Sequence, residues 1–210
     1  SFSLEQAEYL WGKGDAKALL NEMGSDGFCI SYHRTDGRYQ LPPAFAAYFA
    51  EQNRQISEAE KNRRLNKLAE WYLINDDNAL ARRLYHRIKN FDALMDAVEK
   101  RRFIVLYGLD EQEFMSYYTD CPPEIRARHP RAVLTFARQM FALGSHEMGK
   151  EVCAEFEKIM EDSHDMDEET RSQLTGTYEL LLCYAQYNDL EQMLVHIYHA
   201  KGLLDNRRAA

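Results

Sequence analysis

The stretch from Cys121 to Met160 constrains the fold of this chain more than any other part of the sequence. Prolines open it, and a Gly-containing turn at Leu143–Ser145 divides it into two segments whose apolar residues recur at three- and four-residue spacing. That spacing predicts two helices, each with one wide apolar face. The apolar residues are Val133, Phe136, Ala137, Met140 and Phe141, then Met148, Val152, Cys153, Phe156 and Ile159. An isolated helix pair cannot bury both faces, so the stretch predicts a helical repeat in which similar pairs stack on one another.

The composition favours a mainly α-helical chain. Only five prolines and ten glycines occur in 210 residues, and 45% of the residues are hydrophobic, which is enough for one large or two small domains. Acidic residues outnumber basic ones 34 to 26, so the chain as a whole lacks the basic surface that direct nucleic-acid binding requires. No segment reaches the run of about 18 apolar residues typical of a membrane span. The four scattered cysteines predict reduced thiols and a cytoplasmic protein.

Residues 1–56 predict a partial winged-helix connector with one β-hairpin. Two short helices are expected first, capped by Ser3 and Asp15. Phe28, Ile30 and Tyr32 then alternate with Cys29, Ser31 and His33, which predicts a strand with the first three on one face. The chain turns at Asp36-Gly37 and returns through 38–41, which is the pattern of a hairpin. Pro42-Pro43 opens a further helix that ends near residue 52. This is the outline of a winged helix that lacks its first helix.

Many winged helices bind DNA, but the charges of this segment favour a different role. The second predicted helix carries Lys17 against Glu22, and the hairpin offers only His33, Arg34 and Arg38. A recognition helix needs several residues that contact phosphates or bases. We therefore expect a structural, domain-connecting unit.

The remaining chain predicts helices throughout, with 57–120 as linker or repeat helices and 121–210 as tetratricopeptide-like helix pairs. Ser57 and Glu60 have the spacing of a capping box, and Asn75-Asp76-Asp77 is a turn between two helices. The second of these helices is expected to pack through the face that carries Ala79, Leu80, Arg83, Leu84 and Ile88. Residues 103–109 form another apolar segment. The last pair, 170–186 and 189–201, is expected to place the following residues face to face: Tyr178, Leu181, Leu182 and Ala185 against Leu190, Met193, Leu194 and Ile197.

The sequence predicts no catalytic, cofactor-binding or metal site. His196 and His199 share a helix face, but two further zinc ligands are missing at a diagnostic spacing. Asp162, Asp165, Asp167 and Glu168 lack the Gly and distal Glu of a calcium loop, which favours a solvated linker. Cys183 with His196, or Cys153 with His146, would need an orienting carboxylate to act as nucleophile and base. We therefore expect a protein that is not an enzyme, and an enzyme remains the third alternative.

The tyrosines allow two interpretations. The chain has thirteen, and several fall within the predicted repeats. They could line a concave surface for a ligand or peptide, or they could be half-buried packing residues with a hydrated hydroxyl. The sequence leaves the ligand-binding residues unknown. The tyrosines concerned are Tyr107, Tyr117, Tyr118, Tyr178, Tyr184 and Tyr187.

Two segments resemble the sensor region of large ATP-dependent LuxR-type transcriptional regulators, the group that includes the maltose regulator. The start of that helical superhelix is similar to the stretch CPPEIRARHPRAVLTFARQMFALGSHEMGKEV. The segment that precedes the superhelix in those regulators is similar to LNKLAEWYLINDDNALARRLYHRIKNFDALMDAVEK. The matching residues are Pro122, Pro123, Glu124, Arg126, Arg128, Pro130, Arg131, Ala137 and Gly144, and earlier Ala69, Trp71, Tyr72, Ala79, Tyr85, Phe91 and Ala93.

The resemblance implies a non-catalytic module that senses a small-molecule inducer or a protein effector. An ATPase domain would precede residue 1 and a DNA-binding domain would follow residue 210, so ATP would bind outside this chain. The absence of an initiator Met fits a fragment of a longer protein. A homo-oligomer is possible, because the last helix pair ends without a capping repeat. The alternative is a general tetratricopeptide-like protein–protein scaffold unrelated to transcription.

Overall fold

The computed structural model describes residues 1–12, 15–25, 29–100, 110–186 and 189–205. Twelve helices and three short strands in these residues make a mainly α-helical fold, which confirms the predicted class. Two compact units, Ser1–Asn90 and Phe91–Ala210, divide the chain inside the predicted 57–120 segment. The apolar segment 103–109 and the first hairpin residue, Phe28, lie outside the described residues. Within the described ranges, every helix is too short or too polar to cross a membrane.

The first unit combines a small antiparallel sheet with five helices. The sheet order is β1-β3-β2, and Tyr39 of β3 lies opposite both Phe2 and Tyr32. The elements are β1 (Phe2–Ser3), α1 (Leu4–Trp11), α2 (Ala16–Ser25), β2 (Ser31–His33), β3 (Arg38–Gln40), α3 (Pro43–Arg54), α4 (Glu58–Ile74) and α5 (Asn78–Arg87). The hairpin and the helix after the two prolines agree with the sequence, whereas β1 was not expected.

A small apolar core holds the sheet against the first two helices. Leu20, Ile30 and Tyr39 are buried at its centre. Tyr32, expected on the same face as Ile30, is instead 53% exposed. Strand β2 is three residues long and lies at the edge of the sheet, so it offers too little surface to cover a second large side chain. The predicted alternation therefore holds for only part of the strand.

Side-chain caps begin several helices where the sequence predicted them. Ser3 accepts from the Gln6 N–H at 3.1 Å, and Asp15 accepts from the Ala18 N–H at 3.0 Å. Ser57 accepts from the Glu60 N–H at 3.3 Å. The Glu60 carboxylate itself binds the guanidinium groups of the next turn, Arg63 at 2.7 Å and Arg64 at 2.8 Å. In a capping box the Glu60 carboxylate would accept from the backbone N–H of Ser57. Here it forms charge-assisted bonds to the two arginines instead.

Helices α4 and α5 form a pair joined by the predicted Asn-Asp-Asp turn. Asp76 adopts a left-handed conformation with φ 63°, and Asp77 caps α5 by accepting from the Leu80 N–H. The buried residues of α5 are Asn78, Ala81, Arg82 and Tyr85, whereas the predicted face of Ala79, Leu80, Leu84 and Ile88 is half-buried and Arg83 is exposed. The predicted face was therefore wrong by part of a turn, because the aromatic Tyr85 takes the inner position.

The second unit is a helical-repeat-like array. It consists of α6 (Phe91–Glu99), α7 (Glu111–Thr119), α8 (Pro123–Arg126), α9 (Pro130–Ala142), α10 (His146–Asp162), α11 (Glu168–Ala185) and α12 (Leu190–Asp205). Helices α9 and α10 form one pair and α11 and α12 another, and α9 also packs on α6, α8 and α11. Gly144 ends α9 with φ 81°, a conformation that favours glycine. Arg171 of α11 donates to the carbonyl of Met160 in α10, at 2.9 Å, and so ties the two pairs together.

Helix α9 is more deeply buried than the single apolar face predicted. Val133, Phe136, Ala137 and Met140 are buried as expected, and Phe141 is half-buried. Three residues outside that face are buried as well, namely Ala132, Leu134 and Gln139. The two prolines at 122–123 open the separate helix α8, and Pro130 takes the first position of α9.

Helix α12 is rotated relative to the sequence prediction. Leu190, Leu194 and Ile197, expected to face α11, are 74%, 52% and 40% exposed. The inner side of α12 instead presents Ala200, which is buried, and Met193, which is half-buried. The prediction was wrong because α12 carries apolar residues on two sides, and hydrophobic periodicity does not say which side packs.

Gly149 permits close contact between α9 and α10, so Gly149→Ala is expected to destabilise the protein. A Cβ at this position would lie 2.9 Å from two ring carbons of Phe141. Overpacking of this kind costs about 1–3 kcal/mol, to be measured by urea denaturation. Gly202→Ala is the matched helical control, because its Cβ meets no atom within 4 Å. That control should leave stability unchanged or raise it by about 0.5–1 kcal/mol. Equal effects of the two substitutions would contradict the close contact.

Candidate functional site

Three of the tyrosines considered are packing residues in the described part of the repeats. Tyr117, Tyr118 and Tyr178 are at least nine-tenths buried. Their hydroxyls donate to the carboxylates of Glu113, Glu155 and Glu157, respectively. Burial is the main cause that raises the pKa of Tyr118 and of Tyr178, and the acceptor carboxylates add to it. Of the other tyrosines considered, Tyr107 and Tyr187 and the side chain of Tyr184 lie outside the described residues.

A polar network joins α7, α8 and α10. Arg126 donates through Nε to Glu155 at 2.7 Å, and Glu155 also accepts from the Tyr118 hydroxyl. The same guanidinium donates to the carbonyls of Tyr118 and Cys121, at 3.1 and 2.6 Å, and lies 4.5 Å from the Tyr118 ring centroid. Only 13% of the Arg126 side chain is exposed. Because its donors are used internally, this arginine holds the entry of the array together and is unavailable to a ligand.

The two histidines of α12 meet a carboxylate of α11. His196 Nδ1 lies 2.5 Å from one oxygen of Glu179, and His199 Nδ1 lies 3.5 Å from the other. The His199 side chain is 71% exposed, whereas those of His196 and Glu179 are about one-sixth exposed. The contact pairs neighbouring helices, and the described residues place these three in no larger group of potential metal ligands.

A second histidine cluster was missed from the sequence. The His129 ring lies between three carboxylates of α6, with Asp92 Oδ1 3.3 Å from Nε2, and Asp96 Oδ1 and Glu99 Oε1 3.5 and 3.6 Å from Nδ1. Ligand atoms of Asp96, Glu99 and His129 lie within 4.8 Å of one another. The spacing of residues 92, 96 and 99 places three acidic side chains on one helix face. This spacing is the sequence signal that could have predicted the cluster.

Other groups already neutralise part of this cluster. Arg128 Nη2 lies 2.6 Å from Asp92 Oδ1, and this bond is the main cause that lowers the pKa of Asp92. Glu99 accepts from the Ala132 N–H at 3.3 Å, and its burial raises the pKa of its carboxyl. We therefore interpret the cluster as an ionic contact that fixes the start of α9 on α6.

The remaining predicted candidates stay apart or act as caps. Among the described residues, no hydrogen bond joins Cys183 to His196 or Cys153 to His146. Burial raises the pKa of Cys153 to about 11, which makes it a poor nucleophile. Asp167 of the acidic linker caps α11 by accepting from the Thr170 N–H at 2.8 Å.

The strongest candidate site is an exposed apolar surface. The α12 outer face, defined here by Leu190, Leu194, Val195, Ile197 and Tyr198, has side chains that are 40–74% exposed. Contiguous exposed apolar patches commonly mark protein-interaction surfaces. The first unit carries a smaller one on α3, where Tyr48 and Phe49 are 58% and 43% exposed and their rings meet edge to face.

No family model, curated protein or solved structure matches this chain. The resemblance to LuxR-type regulators therefore depends on the quoted residues alone. Several of those residues have visible structural roles, since Pro130 begins α9, Gly144 ends it and Arg126 belongs to the network with Glu155.

We expect Arg126→Ala or Glu155→Ala to destabilise the protein by about 3 kcal/mol, because each leaves the other charge buried without its partner. Urea denaturation of the two variants would measure this change. Lys150→Ala is the control, because its ion pair with Glu147 is exposed on both sides and its loss should change stability far less. A loss of similar size in the control would contradict a special role of the buried network.

Cysteine labelling should separate two classes of thiol. Burial raises the pKa of Cys121 and of Cys153 to about 11, so few of these thiols are ionised at neutral pH. Cys29 and Cys183 are only half-buried. With iodoacetamide at neutral pH, we expect the latter pair to react at least about tenfold faster, as read by peptide mass spectrometry. The difference should disappear in urea, and its persistence there would exclude burial as the cause.

Proposed function

We propose that this chain is a non-catalytic signal-sensing and interaction module of a LuxR-type transcriptional regulator. In this proposal the first unit is a winged-helix connector and the second is the start of a tetratricopeptide-like sensor. The exposed α12 outer face is the observation that carries the interaction role. The family assignment is supported by the residues at 65–100 and 121–152 that resemble those regulators.

The topology of the first unit supports a connector. Its strand order β1-β3-β2, with two helices between β1 and β2, supports the proposed winged helix that lacks its first helix. The exposed charges of α2 and the hairpin are few and mixed, with Lys17, Glu22 and Asp36 among them. Such a surface suits contact with another protein domain better than contact with DNA.

The second unit supports a role in contacts between proteins. Helix pairs such as α9–α10 and α11–α12 expose a face at the end of the array unless a further element covers it. Inside the array, Arg126 pairs with Glu155 and His196 with Glu179, whereas the apolar residues of the α12 outer face are exposed to solvent. A small-molecule inducer or a protein effector would act through this unit on the flanking ATPase and DNA-binding domains. ATP would bind in the ATPase domain, and the protein would be cytoplasmic.

The family proposal is tested by reading the coding sequence on both sides of the chain. A Walker A motif upstream and a LuxR-type helix-turn-helix downstream are the expected result. Their absence from a complete reading frame would leave the alternative, a protein–protein scaffold unrelated to transcription.

The interaction role is tested with a transcription reporter and the full-length regulator. Leu194→Glu is expected to reduce activation at least about tenfold, since it places a charge on the apolar surface. Leu143→Glu is the matched control, because Leu143 is 38% exposed and lies outside α12. Protein level and promoter occupancy are measured in parallel. Equal activation by the wild type and Leu194→Glu would contradict a role of α12 in signalling.

A further inference from the structure

One stripe of α12 has the residue spacing of a coiled-coil seam. Glu191, Leu194, Tyr198 and Lys201 follow at intervals of three, four and three residues, which places them along one side of the helix. Leu190, Val195 and Ile197 flank the stripe. All seven of these residues are exposed, so the whole seam faces solvent.

The opposite side of the same helix is already occupied by α11. Ala200 is 1% exposed, and only 15% of the His196 side chain is exposed, where it meets Glu179. Of the described elements, only α11 packs extensively against α12. A partner can therefore approach the seam without displacing any part of the unit that the structure describes.

The charges at the two ends of the seam complement each other. Glu191 lies in the first turn and Lys201 lies ten residues later, about 15 Å along the helix. Neither forms an ion pair with the other described residues. In an antiparallel pair of identical helices, related by a two-fold axis near position 196, Glu191 faces Lys201 of a second copy. Leu194 then faces Tyr198 of that copy, so two apolar layers lie between two ion pairs.

A parallel pair would have the opposite charge pattern. It would place Glu191 against Glu191 and Lys201 against Lys201, and like charges across a seam are unfavourable. The sequence of α12 thus favours one orientation, and that orientation is closed and self-complementary.

We infer that the α12 outer face binds a second copy of this chain, giving an antiparallel two-fold dimer through the seam Glu191–Leu194–Tyr198–Lys201. The inference rests on the proposed interaction role of this face and names its occupant. One helix from each copy makes a small interface, so the dimer is weak and reversible. A reversible contact of this strength suits a sensor whose assembly responds to a signal.

Sedimentation equilibrium on the 210-residue chain tests the inference. Wild type should change from monomer to dimer with increasing concentration, and association should stop at two copies. Glu191→Lys alone or Lys201→Glu alone should weaken association at least about tenfold, because each creates two like-charge contacts. The double variant Glu191→Lys/Lys201→Glu should restore the wild-type constant to within about threefold.

The outcomes separate this inference from the proposed function. A wild type that stays monomeric, or that grows beyond a dimer, overturns the two-fold seam. A double variant as weak as the single ones also overturns it. Each of these results leaves the reporter test of α12 unaffected, since another partner could use the same surface. Circular dichroism of the variants checks folding, which should be unchanged because both charged residues are exposed.

Discussion

Phe136 lies between the rings of Phe114 and Tyr118, with centroid separations of 4.6 and 5.3 Å. This aromatic contact joins α7 to α9, and α9 in turn packs on α6, α8, α10 and α11. Burial of large apolar side chains is the main favourable term in folding. Helices α6, α7, α8, α10 and α11 are therefore arranged around α9, and α12 packs on α11. The ends of α9 are defined by residues with special backbone conformations, Pro130 in the first turn and Gly144 after the last turn.

The acidic character of the chain is partly internal. The half-buried Glu113 and Glu155 accept the hydroxyls of buried tyrosines, and the half-buried Glu179 meets two histidines. Buried hydroxyl and guanidinium groups need such acceptors, since an unpaired polar group in the interior costs more than the bond contributes. The net charge of the chain is therefore an incomplete guide to the charge of its solvent-facing surface, because some of the acidic side chains are engaged internally.

Local chemistry made much of the fold predictable. Caps at Ser3, Asp15 and Ser57 and the proline and glycine punctuation act within one helical turn, so short sequence windows contain them. Rotation of a helix about its axis is a tertiary property. Helix α12 carries apolar residues on two sides and α5 places Tyr85 inside, so periodicity alone gave the wrong face in both. The strand at Phe2–Ser3 is too short to have a pattern, and its pairing with β3 spans more than thirty residues of sequence. The His129 cluster was missed for a related reason, because it joins two helices that are distant in sequence.

The close approach at Gly149 links two positions of the chain that are eight residues apart. With Phe141 in place, position 149 has no room for a methyl group, and a smaller residue at 141 would create that room. Among homologous chains, residues 141 and 149 should therefore change together, with a bulky ring at one requiring glycine at the other. The distance between α9 and α10 would then depend on the combination of residues at positions 141 and 149, and not on either residue alone.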